Sequence, residues 1–364
     1  MKSTFGKNII VSIWGGSHED AIGVDITGLP VGTKINKQEL GSFLKRRAPG
    51  TSPFATQRKE ADVPIPVSGI IEGDTWIVSD QTVSFQIINS NRKSGDYKNL
   101  RSVPRPGHAD YTARMRYGTE LNMAGGGPFS ARMTAPLCIA GGIALQILER
   151  QGITIGAHIL SIGNIKDTPI NPVNISSELA DTLKSRHPLA VIDPAAGKKM
   201  EEAITAASKN LDSLGGVIEG FITGLPAGIG GAMYDGLEST LAPVLFGIPA
   251  VKGVEFGAGF ESATLLGSQN NDPFYYDGDT VRTATNNHGG ILGGITSGMP
   301  LITRLAFKPT PSIGREQDSV NLDTGKNEKL TITGRHDPCV AVRAVPIVEA
   351  ALAIGILDCM MEDR

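Results

Sequence analysis

The sequence predicts an α+β fold made of two related halves. Three observations carry this. Short strand-like runs, punctuated by glycine and proline, fill the N-terminal part. A long, nearly all-apolar helical pattern follows at 130–150. The string Ile26-Thr27-Gly28-Leu29-Pro30-Val31-Gly32 recurs as Ile222-Thr223-Gly224-Leu225-Pro226-Ala227-Gly228.

Residues 8–13 alternate as a half-buried strand does, and 24–26 lead into the turn at Gly28-Leu29-Pro30. Asn36, with Glu39 three positions on, reads as an N-cap and predicts a helix to about Arg47, stopped by Pro49-Gly50. Strand-like runs follow at 63–67 and 83–88. The apolarity of 130–150 predicts a helix buried on most sides, with Gly152 as its stop. Amphipathic helices are expected at 177–186 and 195–214, the second started by Asp193-Pro194 as cap and first-turn proline. A last helix is expected at 346–361. Val217-Ile218-Glu219-Gly220 echoes Ile70-Ile71-Glu72-Gly73 as a second hint of duplication. No linker divides the chain, so 1–364 reads as a single domain.

With 40% hydrophobic and 20% charged residues, the chain has material for a core and too little charge for disorder. The formal net charge of -3 gives no bulk attraction to nucleic acid or anionic lipid, so an anion site must be a local cluster. Aromatics are only 5% and are not interleaved with basic residues, which argues against nucleic-acid binding. Cys138, Cys339 and Cys359 are too scattered for a disulfide framework or a metal site. The first residues lack the apolar core of a secretion signal, and no apolar run looks long enough to cross a bilayer. A soluble, cytoplasmic protein without membrane or nucleic-acid partners is expected.

Neither a P-loop nor a dinucleotide fingerprint is present. Four clusters instead combine glycine with polar or basic groups. Gly15-Gly16-Ser17-His18-Glu19 puts an imidazole after a strand, suited to acid/base work or simply solvated at a turn. Arg105-Pro106-Gly107-His108-Ala109-Asp110-Tyr111 brings a cation, an imidazole, a carboxylate and a phenol into one loop. Gly125-Gly126-Gly127-Pro128-Phe129-Ser130-Ala131-Arg132 precedes the apolar helix, where backbone N–H groups suit a phosphate. The fourth joins Thr285-Asn286-Asn287-His288-Gly289-Gly290 and Gly293-Gly294 with Lys308-Pro309-Thr310-Pro311-Ser312 and Arg335-His336-Asp337. Lys45-Arg46-Arg47 closes the first helix, where cations are favourable anyway.

The segments 105–111 (RPGHADY), 248–256 (IPAVKGVEF), 286–298 (NNHGGILGGITSG), 308–312 (KPTPS) and 335–349 (RHDPCVAVRAVPIVE) together resemble the chorismate synthase family over nearly the whole chain. The resemblance implies a β-α-β sandwich, with helices between antiparallel sheets, assembling as a homotetramer. It implies a 1,4-anti elimination of phosphate from 5-enolpyruvylshikimate 3-phosphate to give chorismate, requiring reduced FMN, with NADPH as a candidate flavin reductant. By carry-over, His18, His108 and Asp337 are the catalytic candidates. One histidine would protonate the departing phosphate and the other would protonate or hydrogen-bond the flavin, with Asp337 assisting proton removal. Ser130, Ala250, Gly293, Lys308, Pro309, Thr310, Pro311, Ser312 and Arg335 would contact the cofactor. Arg47 and Arg132 would contact substrate or pyridine nucleotide. The chain departs from the family pattern at Gly16, Ala124 and Pro128. These departures support a second reading, a paralogue that binds flavin or a phosphorylated ligand without turnover.

Overall fold

Period-two runs at the N-terminus build the first sheet. In the computed structural model, which describes residues 2–50, 54, 60–89, 99–186, 188–332 and 337–361, β1 (Lys2–Phe5), β2 (Ile10–Gly15) and β3 (Ala21–Thr27) form an antiparallel meander. Short β4 (Lys34–Ile35) leads into α1 (Lys37–Arg47). Asn36 caps α1 as the sequence predicts. Its Oδ1 accepts from the N–H groups of Gln38 at 3.0 Å and Glu39 at 3.3 Å, and its amide donates to Glu39 Oε1 at 2.8 Å. After β5 (Ile65–Ser68), β6 (Ile70–Ile71) and β7 (Trp76–Val78) comes β8 (Thr82–Ile88). The five-stranded sheet has the order β1-β2-β3-β8-β5 and is antiparallel throughout.

Beyond the short α2 (Asp110–Tyr117), the apolar helix α3 spans Thr134–Glu149. It starts four residues later than its composition suggests. Ser130 caps a 3-10 turn at Ala131–Met133 first, its Oγ accepting from Arg132 N at 3.3 Å. There follow β9 (Thr154–Ile162), β10 (Ile165–Lys166), α4 (Leu179–Ser185), α5 (Pro194–Lys209), β11 (Gly216–Thr223), α6 (Leu237–Phe246) and β12 (Val251–Phe256). One turn, α7 (Gly267–Asn270), precedes the hairpins β13 (Phe274–Asp277)–β14 (Thr280–Thr283) and β15 (Ile291–Leu292)–β16 (Ile295–Thr296). Then come β17 (Leu301–Phe307), the pair β18 (Gln317–Asn321)–β19 (Lys326–Leu330), and α8 (Ala341–Met360). The second five-stranded sheet, order β10-β9-β11-β17-β12, is also antiparallel.

α3 lies on β2, β3 and β8, and α8 lies on β9 and β11. The two helices pack on each other, with α1 beside α3 and α6 beside α8. Helices therefore sit between two antiparallel sheets, each burying its apolar face inward. One continuous apolar cluster runs from Ile9 to Cys359. The repeated string occupies matching places: it leaves the central strand of each sheet, β3 and β11, and Leu29 and Leu225 are each 4% exposed. The second echo is not structural. Ile70–Ile71 is a short strand of a small side sheet, whereas Val217 to Gly220 lie inside β11.

Several expectations are corrected. α8 begins at Ala341, not Pro346; Ala341, Ala344 and Val345 are fully or nearly buried, and that packing outweighs the single hydrogen bond the proline removes. The helices expected at 177–186 and 195–214 are shorter, and α5 ends before Leu211, which takes a positive φ of 56°. One helix, 131–149, is after all long and apolar enough to cross a membrane, but 83% of it is buried against the protein's own core.

Candidate active site

A cavity of about 320 Å³ opens where the ends of α1 and β17 meet the starts of α2, α3, β12 and α8. Its walls include Arg47, His108, Ser130, Arg132, Ala250, Lys308, Thr310, Pro311, Ser312 and Asp337, all singled out from sequence. Arg105 and Gly107, from the candidate loop at 105–111, also line it, as do Glu60 and Arg343, which were not named as site residues.

The loop before α2 supplies His108. Asp110, first residue of α2, is gripped by Arg105: Nε donates to Oδ2 at 2.7 Å, Nη2 to Oδ1 at 2.7 Å, and the Arg105 backbone N–H to Oδ2 at 3.0 Å. His108 Nδ1 lies 2.8 Å from Asp110 Oδ1. Burial opposes ionisation of Asp110, but the hydrogen bonds and charges of Arg105 and His108 outweigh it and hold the carboxyl below its ordinary range. Arg105 Nη1 reaches Ser312 Oγ at 3.1 Å, tying this loop to the segment after β17. There Lys308 Nζ donates to Gly107 O, and burial, with Lys252 nearby, lowers its ammonium below the usual range.

Also in the lining, α1 ends in Arg47, only 1% exposed. Its Nε donates to Asp62 Oδ2 at 2.7 Å and its Nη1 to Thr134 Oγ1 at 3.1 Å. Asp62 also takes Arg132 Nη1 on its other oxygen, while Arg132 Nε meets Asn89 Oδ1 at 3.2 Å and Glu60 at 3.4 Å. From α8, Arg343 Nη1 donates to Asp337 Oδ2 at 3.0 Å and Nε to the Arg47 carbonyl at 3.0 Å. Burial lowers the Arg343 guanidinium pKa despite Asp337. Three arginines thus converge on one side, held by three carboxylates. Spacing could not reveal this, because Asp62 lies 15 residues from Arg47 and 70 from Arg132. Arg105 stands in the quoted loop motif, and Arg343 stands in the motif at 335–349. A helix expected only from Pro346 hid the placement of Arg343.

The triple glycine is not a helix N-terminus. All three residues have positive φ, and α3 starts only at Thr134. A Cβ at Gly125 would lie 2.2 Å from His18 Cε1, and one at Gly126 would lie 3.2 Å from His108 Nε2. The glycines let the backbone lie against both imidazoles. His18 itself is 7% exposed and sits behind Gly125 rather than in the cavity wall. Its Nδ1 is 3.2 Å from Ser17 Oγ, which donates to Ala124 O at 3.0 Å. His18 Nδ1–H is therefore the donor to Ser17.

The 286–298 segment does not reach the cavity. Asn286 donates to Pro172 O and Pro300 O, and Asp272 accepts the N–H groups of Asn287 and His288, so these groups serve their own loop. Gly293 is exposed at the tip of β15–β16, and Pro309 is not a wall residue. Arg335 lies outside the described residues.

The cavity suits an anionic ligand. Arg132 Nη2 and Thr310 Oγ1 are buried without a hydrogen-bond partner among the described residues. Such groups are costly unless a ligand or water completes them. Arginine, lysine and hydroxyl donors on several walls fit phosphate groups, as FMN and a phosphorylated substrate would present.

The family model described as chorismate synthase matches residues 9–361. A chorismate synthase of Lancefieldella parvula is 46% identical, covering 98% of this chain and 96% of its own. That of Thermococcus kodakarensis is 42% identical, covering 99% and 98%. A solved structure titled as a crystal structure of chorismate synthase aligns with TM-score 0.73 over 98% of this chain and 93% of its own, at 23% identity, and so attests the fold. The chain belongs to the chorismate synthase family and is an enzyme, a lyase of the shikimate pathway.

Proposed function

We propose that the cavity holds reduced FMN and 5-enolpyruvylshikimate 3-phosphate together, and that the chain eliminates phosphate from the substrate to form chorismate. The gathering of Arg47, Arg132, Lys308, Arg343, His108 and Asp337 around one cavity carries this reading. Ser130, Ala250, Lys308, Thr310, Pro311 and Ser312 would hold the cofactor, and Arg47, Arg132 and Arg343 the substrate. When bound, reduced FMN supplies electron density to an allylic C–O bond that is otherwise hard to break.

The protein's part is to bind, orient and move protons. The arginines neutralise the leaving phosphate and hold it in line. His18 would serve as the second proton-transfer histidine, its ring held by Ser17 behind Gly125. His108 would act through its Nε2 beside Gly126. Asp337, steadied by Arg343 at 3.0 Å, would assist removal of the ring proton. We further propose a cytoplasmic homotetramer of single-domain chains, with NADPH as the flavin reductant.

Anaerobic incubation with chemically reduced FMN and the substrate tests this. Stoichiometric phosphate and chorismate are expected. Tight binding of both ligands without product would favour the non-catalytic reading and sink the proposal. His108→Ala should lower turnover by about a hundredfold or more while leaving the fold intact.

A further inference from the structure

We infer that Asp110 is a positioning residue that fixes the tautomer of His108, with Arg105 as the brace that fixes Asp110. Three donors of Arg105 occupy the Asp110 carboxylate at 2.7 to 3.0 Å, so its plane cannot rotate. Asp110 Oδ1 is then left 2.8 Å from His108 Nδ1. Arg105 Nη2 also lies 3.1 Å from the same ring nitrogen. The two neighbours demand opposite things: a carboxylate needs a proton on Nδ1, and a guanidinium needs a lone pair there.

Distance and charge decide between them. A lone pair on Nδ1 would face an ionised carboxylate at 2.8 Å in a site where Asp110 is 6% exposed. A proton there makes a charge-assisted hydrogen bond instead. Arg105 Nη2 loses little, because it already donates to Asp110 Oδ1 at 2.7 Å. Nδ1 therefore carries the proton, and Nε2, 3.2 Å from where a Cβ on Gly126 would sit, is the working atom. Ser312 Oγ, 3.1 Å from Arg105 Nη1, anchors the brace to a residue lining the same cavity.

This inference rests on the proposed role of His108 only for its effect on turnover. Histidine-labelled enzyme examined by long-range ¹⁵N–¹H NMR, with the His108→Gln spectrum assigning the ring, reads the tautomer directly in the native protein. Nδ1 should be pyrrole-like and Nε2 pyridine-like at a pH where the ring is neutral; the reverse pattern overturns the inference. Asp110→Asn should then turn the pattern over. The asparagine keeps its oxygen toward the Arg105 backbone N–H and Nε and presents its NH₂ to the ring. Turnover should fall by about as much as it does on removing the His108 imidazole, about a hundredfold or more, with a shifted pH profile for kcat and little change in KM. An unchanged tautomer in this variant also overturns the inference. A flipped ring with normal turnover would uphold Asp110 as the determinant while removing His108 from the reaction.

Discussion

Replacing Asp62 by asparagine isolates the charge balance beneath the cavity. Asp62 is 5% exposed and holds Arg47 and Arg132, themselves 1% and 7% exposed, on its two oxygens. Asparagine has nearly the same volume and can still accept one hydrogen bond, but it must turn an NH₂ toward the second guanidinium. Glu60, 3.4 Å from Arg132, is then the remaining counter-charge. Removing one partner of a buried pair costs about 3–5 kcal/mol. The retained acceptor places the expected loss at the low end, about 3 kcal/mol. At about 2.1 cal/mol/K per residue, a 364-residue chain unfolds with an entropy near 0.8 kcal/mol/K, so Tm should fall by about 4 °C. The loss should shrink when phosphate or substrate is added, because an anion in the cavity neutralises the same two arginines. Calorimetry of both proteins with and without millimolar phosphate measures this. A variant as stable as the wild type, or one whose deficit ignores the anion, would refute the idea that Asp62 balances a cationic substrate pocket.

Gly125→Ala should lower kcat by about 10- to 100-fold, since the new Cβ would lie 2.2 Å from His18 Cε1 and must push the imidazole aside; unaltered kinetics would show that His18 has no fixed catalytic position. His158 is fully buried between Asp167 and Glu219 at 3.0 Å each, with Arg304 on the far oxygen of Glu219 at 2.9 Å. Burial alone would lower its pKa, but the two carboxylates raise it above the ordinary value. The imidazolium thus stabilises the fold fully below about pH 6.5 and loses that contribution as pH rises through the raised folded-state value. The Tm gap between wild type and His158→Gln should narrow with rising pH, and a gap constant from pH 6 to 10 would contradict this. Asp358 accepts the backbone N–H groups of Lys7, Asn8 and Ile9 at 2.7 to 3.1 Å. Asp358→Ala should cost about 3 kcal/mol and speed exchange of those three amides, which hydrogen-exchange mass spectrometry would detect.

Local chemistry was legible from residues alone. The Asn36 cap, the Asp193-Pro194 start of α5, the buried α3 and the repeated turn after β3 and β11 each depend on neighbours within a few residues, so short-range patterns suffice to find them. The linear motifs likewise contained His108, Lys308 and Ser312, which the fold brings to one cavity. What only the tertiary structure decided is who neutralises whom. Asp62 faces Arg132 across 70 positions, and Arg343 reaches the carbonyl of Arg47 across 296. It also decided that the glycines at 125 and 126 make room for two imidazoles and do not cap a helix, and that the glycine-rich 286–298 loop serves itself. Periodicity reports which face of an element is buried. Pairing of charges in a desolvated pocket depends on where distant elements cross, and packing alone settles that.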